Sequence, residues 1–499
     1  MSRSTALDEI HRLIKQGRVQ DASSAFSSLH LAYPEDALIL REWGLFALSI
    51  NRRDEALTQL QRSATLNPHD ARTHNALGQA WQRFYRYRDA EVAFRNAVNA
   101  DEGYAAAHSN LIACLERQNK IDDAFQHLKT ARALCPDSNL FDVREAIILR
   151  RQKKYREAVA ILDKNDYPQD NMTRLLALNE RANLLDCLGD YGEAFSAYDE
   201  FADLARNTWS ITNHSKSVYL ERITHYRSAF TADLIDSWPS SKGASLTPQP
   251  GLLIGFPRSG TTLIQHILQT HPAIHSTEEV PAIPRIAEQL ERNGNYPECL
   301  RNMTDTEVQR FHDIYFKIHK GEPDWKDKSV LIDKYPLLSI HAGLFYRIFP
   351  GCPIIFALRH PCAAIWSAYT QMFIPNEALI HTYSLEDTVT LYCKTMELWL
   401  HYKSIIPFKA MYVRYEDLID NMPSVTAAIL EFLGLPWDDD VLRFHHHALK
   451  RGDIRTPSYS QITQPIYSDS KEKWLHYRTH FEPYFKQLKP YADKWGYEL

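Results

Sequence analysis

Hydrophobic and polar positions change rhythm halfway along the chain. Up to about residue 205 the pattern is helical and recurrent, with a small residue at the centre of each recurrence: QDASSAF, DEALTQL, RDAEVAF, DDAFQHL, REAVAIL and GEAFSAY. After Pro250 short continuous apolar runs take over: LLIG from 252, SVLID from 329, CPIIFAL from 352 and AMYVRY from 410. Longer helical patterns, TTLIQHILQ and TVTLYCKTMELWLHYKSI among them, lie between these runs. Strand-sized apolar runs alternating with helices predict a parallel sheet covered on both faces. Ligands in such folds bind beyond the carboxyl ends of the strands.

The first half has a fixed period. Ala22, Ala56, Ala90, Ala124, Ala158 and Ala194 are separated by 34, 34, 34, 34 and 36 residues. Pro34, Pro68 and Pro136 each follow their alanine by twelve residues, where a proline stops a helix. Gly44 and Gly78, also 34 apart, lie upstream within LREWGLFAL and HNALGQAW. This pattern resembles the tetratricopeptide repeat, in six units over residues 3–205. Glu102 and Asp170 replace the proline in units three and five, and the sixth unit carries a two-residue insertion. Such an array either supports the second domain or presents a concave surface to a protein partner. Residues 206–250 read as a helical segment followed by the Pro/Ser-rich linker WPSSKGASLTPQPG, and 251–499 as the α/β domain.

Length, composition and charge narrow the setting. A chain of 499 residues implies more than one domain. A net charge of -5 and a pI near 6.5 give no electrostatic case for a nucleic-acid or anionic-membrane partner. Seven scattered cysteines form no CxxC pair, no N-terminal apolar segment suggests a leader, and no run approaches the roughly 18 to 20 apolar residues of a membrane span. These features together predict a cytoplasmic protein with reduced thiols.

The chemistry concentrates at GFPRSGTT, residues 255–262. It follows a strand, opens a helix, and nearly matches the phosphate-cradling pattern G-x-x-x-x-G-K-[ST], with Thr261 in place of the lysine. Backbone N–H groups and a helix N-terminus there favour an anion. Arg258 supplies a positive charge inside the loop, and no acidic metal site follows downstream.

PRSGTT after a strand resembles the 5′-phosphosulfate loop of the sulfotransferases, which use 3′-phosphoadenosine 5′-phosphosulfate (PAPS) without a metal. The resemblance implies that Arg258, Ser259, Gly260, Thr261 and Thr262 bind that donor. LRHPCAAIWSAY resembles the family's second motif, which implies that Arg359 and Ser367 bind the 3′-phosphate. From about 251 to 474 the chain is most similar to the tyrosylprotein sulfotransferases and their bacterial relatives with tetratricopeptide repeats. HPAIHSTEEVPAIPR resembles a segment of that group in which Glu279 falls at the catalytic base and Arg285 at a substrate- or base-contacting arginine. Pro281 stands where those enzymes have a further arginine for the acceptor, which leaves acidic-peptide specificity open. By the same resemblance IDKYP places Lys334 near the bridging oxygen and VRYEDL places Tyr415 near the nucleotide. TPSYSQITQPIYSDSKEKW resembles a nucleotide-closing segment, with Ser458, Gln461, Tyr467 and Lys473 as candidates.

The fold expected is therefore an all-α tetratricopeptide-repeat solenoid followed by an α/β, P-loop-like sulfotransferase domain with a parallel sheet. The function implied is sulfuryl transfer from PAPS, with release of adenosine 3′,5′-bisphosphate, to a hydroxyl acceptor: a protein tyrosine or, more openly, a peptide, glycan or small molecule. A repeat scaffold whose nucleotide domain binds without catalysis, and a lysine-free nucleotide kinase, are the alternatives. As base, Glu278, His271 and His275 compete with Glu279. The run His445, His446, His447 is no metal site, because consecutive helix residues do not face one another.

Overall fold

A small residue recurs through the first 205 residues, and the computed structural model shows where it sits. It describes residues 3–445 and 471–499, apart from 51, 85, 165–166, 168–170, 210–215, 239–247 and 323–324. Among the described residues six consecutive helix pairs run along this half. They are α1 (Arg3–Lys15) with α2 (Val19–Ala32), α3 (Ala37–Ser49) with α4 (Arg53–Leu66), and α5 (Ala71–Arg83) with α6 (Tyr87–Ala100). Then come α7 (Ala105–Arg117) with α8 (Ile121–Leu134), α9 (Leu140–Arg151) with α10 (Tyr155–Leu162), and α11 (Asn171–Leu188) with α12 (Tyr191–Trp209). All six periodic alanines are fully buried. The glycines serve the same close approach from the facing helix: a Cβ on Gly44 would lie 2.6 Å from Leu60, and one on Gly78 2.5 Å from the Phe94 ring.

Proline turns out not to be required at the unit boundary. Helices α2, α4 and α8 end two residues before Pro34, Pro68 and Pro136, but α6 ends at Ala100, two residues before Glu102, without one. There Asp101 turns the chain, its side chain accepting from Gly103 N at 3.0 Å. Two acidic residues placed just after a proline also start the next helix. Asp36 accepts from the N–H groups of Leu38 and Ile39, and Asp70 from that of Arg72.

The first compact unit ends at Leu204 and the second begins at Ala205. Residues 216–238 are thus part of the second unit. Helix α13 (Lys216–Ala229) and the short α14 (Ala232–Asp236) precede the sheet. Phe230, between them, fills the space beside Gly343, where a Cβ would meet its ring at 2.6 Å. His401 donates to the Phe230 carbonyl at 2.7 Å.

Five parallel strands form the sheet: β1 (Gln249–Gly255), β2 (Ile274–Glu278), β3 (Val330–Lys334), β4 (Ile354–Leu358) and β5 (Ala410–Arg414). Their order is β2-β3-β1-β4-β5. β3 and β4 are buried along their whole length, which is why they read as unbroken apolar runs. Crossover helices α15 (Thr261–Leu268), α16 (Ala282–Arg292), α17 (Asp305–Lys320), α18 (Ala342–Ile348), α19 (Pro361–Tyr369) and α20 (Leu385–Ile405) connect them. After β1 the chain passes to one side of the sheet, whereas β4 flanks β1 on the other, so the connections diverge and leave a crevice at the strand ends. Register fixes what meets there. Lys334 is opposite both Leu253 and Glu278, Gly255 opposite Ala357, and Leu358 opposite Arg414. Among the described residues no helix is long and apolar enough to cross a membrane.

The helix contact at Gly78 is directly testable. Gly78→Ala should destabilise the repeat unit by about 1–3 kcal/mol, the usual cost of overpacking a tight contact. Gly192→Ala, with nothing within 4 Å of its Cβ, should be neutral or slightly stabilising. Thermal unfolding followed by circular dichroism compares the two, and equal midpoints would remove the steric account of the glycine.

Candidate functional site

The loop after β1 is shaped by contacts that exclude a side chain. Gly255 has φ +153°, and a Cβ there would lie 2.4 Å from the Ala357 carbonyl oxygen on β4. Gly260 has φ +90°, and its Cβ would meet the Tyr415 ring at 2.7 Å. Between them Arg258 adopts φ 69°, a left-handed conformation uncommon for a residue with a side chain. Ser259 is buried and donates its N–H to Phe256 O at 3.2 Å. Helix α15 starts at Thr261 with no side chain capping it, so its first N–H groups face the crevice as an anion site. Thr261 is buried and Thr262 partly so.

Cations from neighbouring strands gather on this loop. Arg258 Nε donates to Ser367 Oγ on α19 at 3.1 Å. Arg359, mostly buried, donates from Nη1 to the Arg258 carbonyl at 2.9 Å and lies 4.8 Å over the Tyr415 ring. The two motifs, a hundred residues apart in sequence, thus interlock, Ser367 holding the loop arginine and Arg359 the loop backbone. Lys473 opens a short 3-10 helix, and its neighbour Trp474 stacks on His360 at 4.3 Å, which brings that segment beside the Arg359 turn. Ser458, Gln461 and Tyr467 lie outside the described residues, as do His446 and His447.

On the other flank stands a buried cation with two carboxylates. The Lys334 side chain, at the end of β3, has no exposed surface. Its Nζ is 3.1 Å from Glu279 Oε1 and 3.6 Å from Glu278 Oε1. Removing an ammonium from water is expensive, and paired carboxylates make it tolerable. Glu279 takes a left-handed φ of 55° while its N–H donates to the Lys334 carbonyl at 2.7 Å. Its side chain is 48% exposed against 11% for Glu278, so Glu279 is the carboxylate open to an incoming molecule.

The competing histidines are committed elsewhere. His271 donates from Nε2 to Pro436 O at 3.0 Å and accepts from Ala273 N at Nδ1, which uses both ring nitrogens. His275 lies on the opposite face of β2 from Glu278, edge-on to Trp325 at 4.8 Å. Arg285 is exposed on the first turn of α16, with no polar side-chain contact among the described residues that ties it to the crevice.

Glu278, weighed from sequence only as a rival base, needed the register to show that it faces Lys334, and Tyr335 was not singled out at all. Tyr335, directly after Lys334, is pushed up to about 12 by burial, with the Glu279 and Asp333 carboxylates adding to the effect, so its phenol stays neutral near pH 7. The only signal for it was its position in IDKYP.

Comparison with known proteins finds partial similarities. Residues 250–439 match the Sulfotransferase family. An uncharacterised protein of Aquifex aeolicus is 23% identical over 313 residues, covering 60% of this chain and 39% of that protein. Protein-tyrosine sulfotransferase 1 of Danio rerio is 27% identical over 236 residues, covering 44% of this chain and 64% of that one. The alignments thus span less than two thirds of either relative. Among solved structures, the sulfotransferase domain of the Synechococcus PCC 7002 olefin synthase is 22% identical, covering 52% of this chain and 99% of that one with a TM-score of 0.38.

Gly260 offers a test of the loop that needs no ligand. Gly260→Ala should cost at least about 1 kcal/mol for the left-handed backbone alone, and Tyr415→Ala in the same chain should recover whatever part comes from the ring contact. Urea unfolding of the two singles and the double separates these contributions. An unchanged midpoint for Gly260→Ala would show that the loop relaxes freely.

Proposed function

We propose that this protein transfers a sulfuryl group from PAPS to a hydroxyl acceptor and releases adenosine 3′,5′-bisphosphate. The observation that carries the reading is the buried Lys334 held against a half-exposed Glu279, one strand from an arginine-lined phosphate loop that has no lysine of its own. The loop and the α15 N-terminus would take the 5′-phosphosulfate, and Arg359 and Ser367 the 3′-phosphate. Arginine suits that task because its planar fork matches phosphate geometry.

In the proposed step the acceptor oxygen attacks sulfur in line. An O–S bond forms while the bridging S–O bond breaks, and its electron pair stays on the 5′-phosphate oxygen. The hydroxyl proton passes to Glu279, since an alcohol or phenol is a weak nucleophile without a base. Lys334 faces the charge that grows on the bridging oxygen, and its fixed position means that it need not reorganise as the charge develops. The relatives' names point to a tyrosine phenol as acceptor; Arg285, exposed on the first turn of α16, would be free to meet it, while Pro281 makes the surroundings of the acceptor this chain's own.

Donor recognition is tested first. Adenosine 3′,5′-bisphosphate should bind far better than AMP in calorimetry, with or without magnesium. Losing a charge-assisted contact costs about 1.5–3 kcal/mol, so Arg359→Ala should weaken binding at least tenfold. Equal affinity for the two nucleotides would overturn the PAPS assignment.

Base assignment follows. Glu279→Gln keeps the shape and removes the proton acceptor, so turnover should fall about 10²- to 10⁴-fold with adenosine 3′,5′-bisphosphate affinity nearly unchanged. Near-normal turnover by this variant would place the base elsewhere.

A further inference from the structure

Two adjacent carboxylates face one buried ammonium, and they are not equivalent. Glu279 lies closer to Lys334 Nζ, at 3.1 Å, but is half exposed and leaves the strand in a left-handed turn. Glu278 is the last residue of β2, its side chain only 11% exposed, and it is the register partner of Lys334 on β3. Register partners in a sheet project to the same face, so the main chain itself holds the Glu278 carboxylate over the ammonium, at 3.6 Å. The remaining nearby acid, Asp333, is the preceding residue of β3 and points to the other face, where Tyr315 donates to it at 3.2 Å and His319 Nε2 lies 3.3 Å away.

We infer that Glu278 is the permanent counter-ion of Lys334, a positioning residue that keeps the lysine charged and in place while Glu279 changes charge. This rests on the reading of Glu279 as base and Lys334 as the group facing the leaving oxygen. When Glu279 takes the acceptor's proton it becomes neutral, and its attraction for the ammonium ends at the moment the ammonium is needed. A fully buried lysine without a counter-charge loses its proton or its position. Glu278, fixed by the β2–β3 ladder, stays beside the ammonium through the step. In this role it acts through Lys334, whose ammonium its carboxylate faces.

The test exploits the difference between shape and charge. Glu278→Gln keeps the shape and removes the charge; Glu278→Asp keeps the charge and shortens the arm. With PAPS and a tyrosine-containing peptide, Glu278→Gln should lower kcat by about 10- to 100-fold, the effect of losing one charged contact, with little change in peptide KM. Glu278→Asp should stay within about fivefold of the wild type, a shorter arm costing less than a lost charge. The opposite order, glutamine active and aspartate impaired, would make Glu278 a packing residue and overturn the inference.

Binding supplies a readout independent of turnover. In calorimetry with adenosine 3′,5′-bisphosphate, Glu279→Gln should bind as the wild type does, whereas the double variant Glu278→Gln/Glu279→Gln should bind at least tenfold more weakly. Removing two anions beside an anion site would by charge alone strengthen binding, so a tighter or unchanged double variant overturns the inference while leaving the sulfotransferase reading intact. A wild-type protein that does not bind the nucleotide at all overturns that reading, and this inference with it.

Discussion

The second unit is organised around a single ammonium taken out of water. Lys334 has no exposed surface, and such burial is tolerable only where carboxylates surround the charge. That requirement explains the otherwise odd course of the chain after β2. Glu278 must end the strand in register with Lys334, and Glu279 must turn immediately into a left-handed conformation for its N–H to reach the Lys334 carbonyl and its side chain to reach the ammonium. A non-glycine residue in that region costs of order 1 kcal/mol or more. Here the hydrogen bond and the ion pair on one residue supply the compensation.

The sheet order then separates charge across a short distance. On the β1, β4 and β5 side the strand ends carry Arg258, Arg359 and the open N-terminus of α15; on the β2 and β3 side they carry Glu278 and Glu279. Lys334 lies between these sets, opposite Leu253 of β1 and Glu278 of β2. Under the proposed function an anionic donor would be attracted to one flank and repelled by the other, which would favour its leaving group lying towards the lysine. A neutral hydroxyl suffers no such repulsion and can approach the half-exposed Glu279.

The repeat half was legible because its signal is steric. A 34-residue recurrence of alanine has one physical cause, the closeness of two helices, and all six alanines are buried as that cause demands. The proline signal was weaker because it is replaceable: Asp101 ends α6 equally well through a side-chain turn. In the sheet half, apolar runs and glycines located the strands and the loop, since Gly255 sits where strand β4 leaves no room and Gly260 where the Tyr415 ring leaves none. What could not be read was pairing across the sheet. That Arg258 bonds Ser367, 109 positions away, follows from how α19 packs beside the β1 loop, and spacing carries no trace of it. The roles of the two glutamates were illegible for the same reason. Side by side in sequence they look interchangeable, and only the β2–β3 register shows that one is the strand partner of Lys334 while the other leaves the strand half-exposed.

The missing lysine of the phosphate loop also finds its physical place. In G-x-x-x-x-G-K-[ST] the lysine stands on the helix that follows the loop, where it reaches the terminal phosphates of a triphosphate. Here that position is Thr261, which is buried and neutral, and the cation comes from the neighbouring strand β3 as Lys334. The change of element changes what the cation can do. A lysine on the loop helix is a flexible point charge in contact with the ligand's outer oxygens, but one locked in the sheet beside a carboxylate has a fixed position and an adjacent base. Sulfuryl transfer to a hydroxyl needs that combination, because one proton must leave the acceptor while one bridging oxygen gains charge. Under the proposed function a cation on β3 rather than on the loop would couple the two events in space, since Lys334 Nζ lies 3.1 Å from Glu279 Oε1.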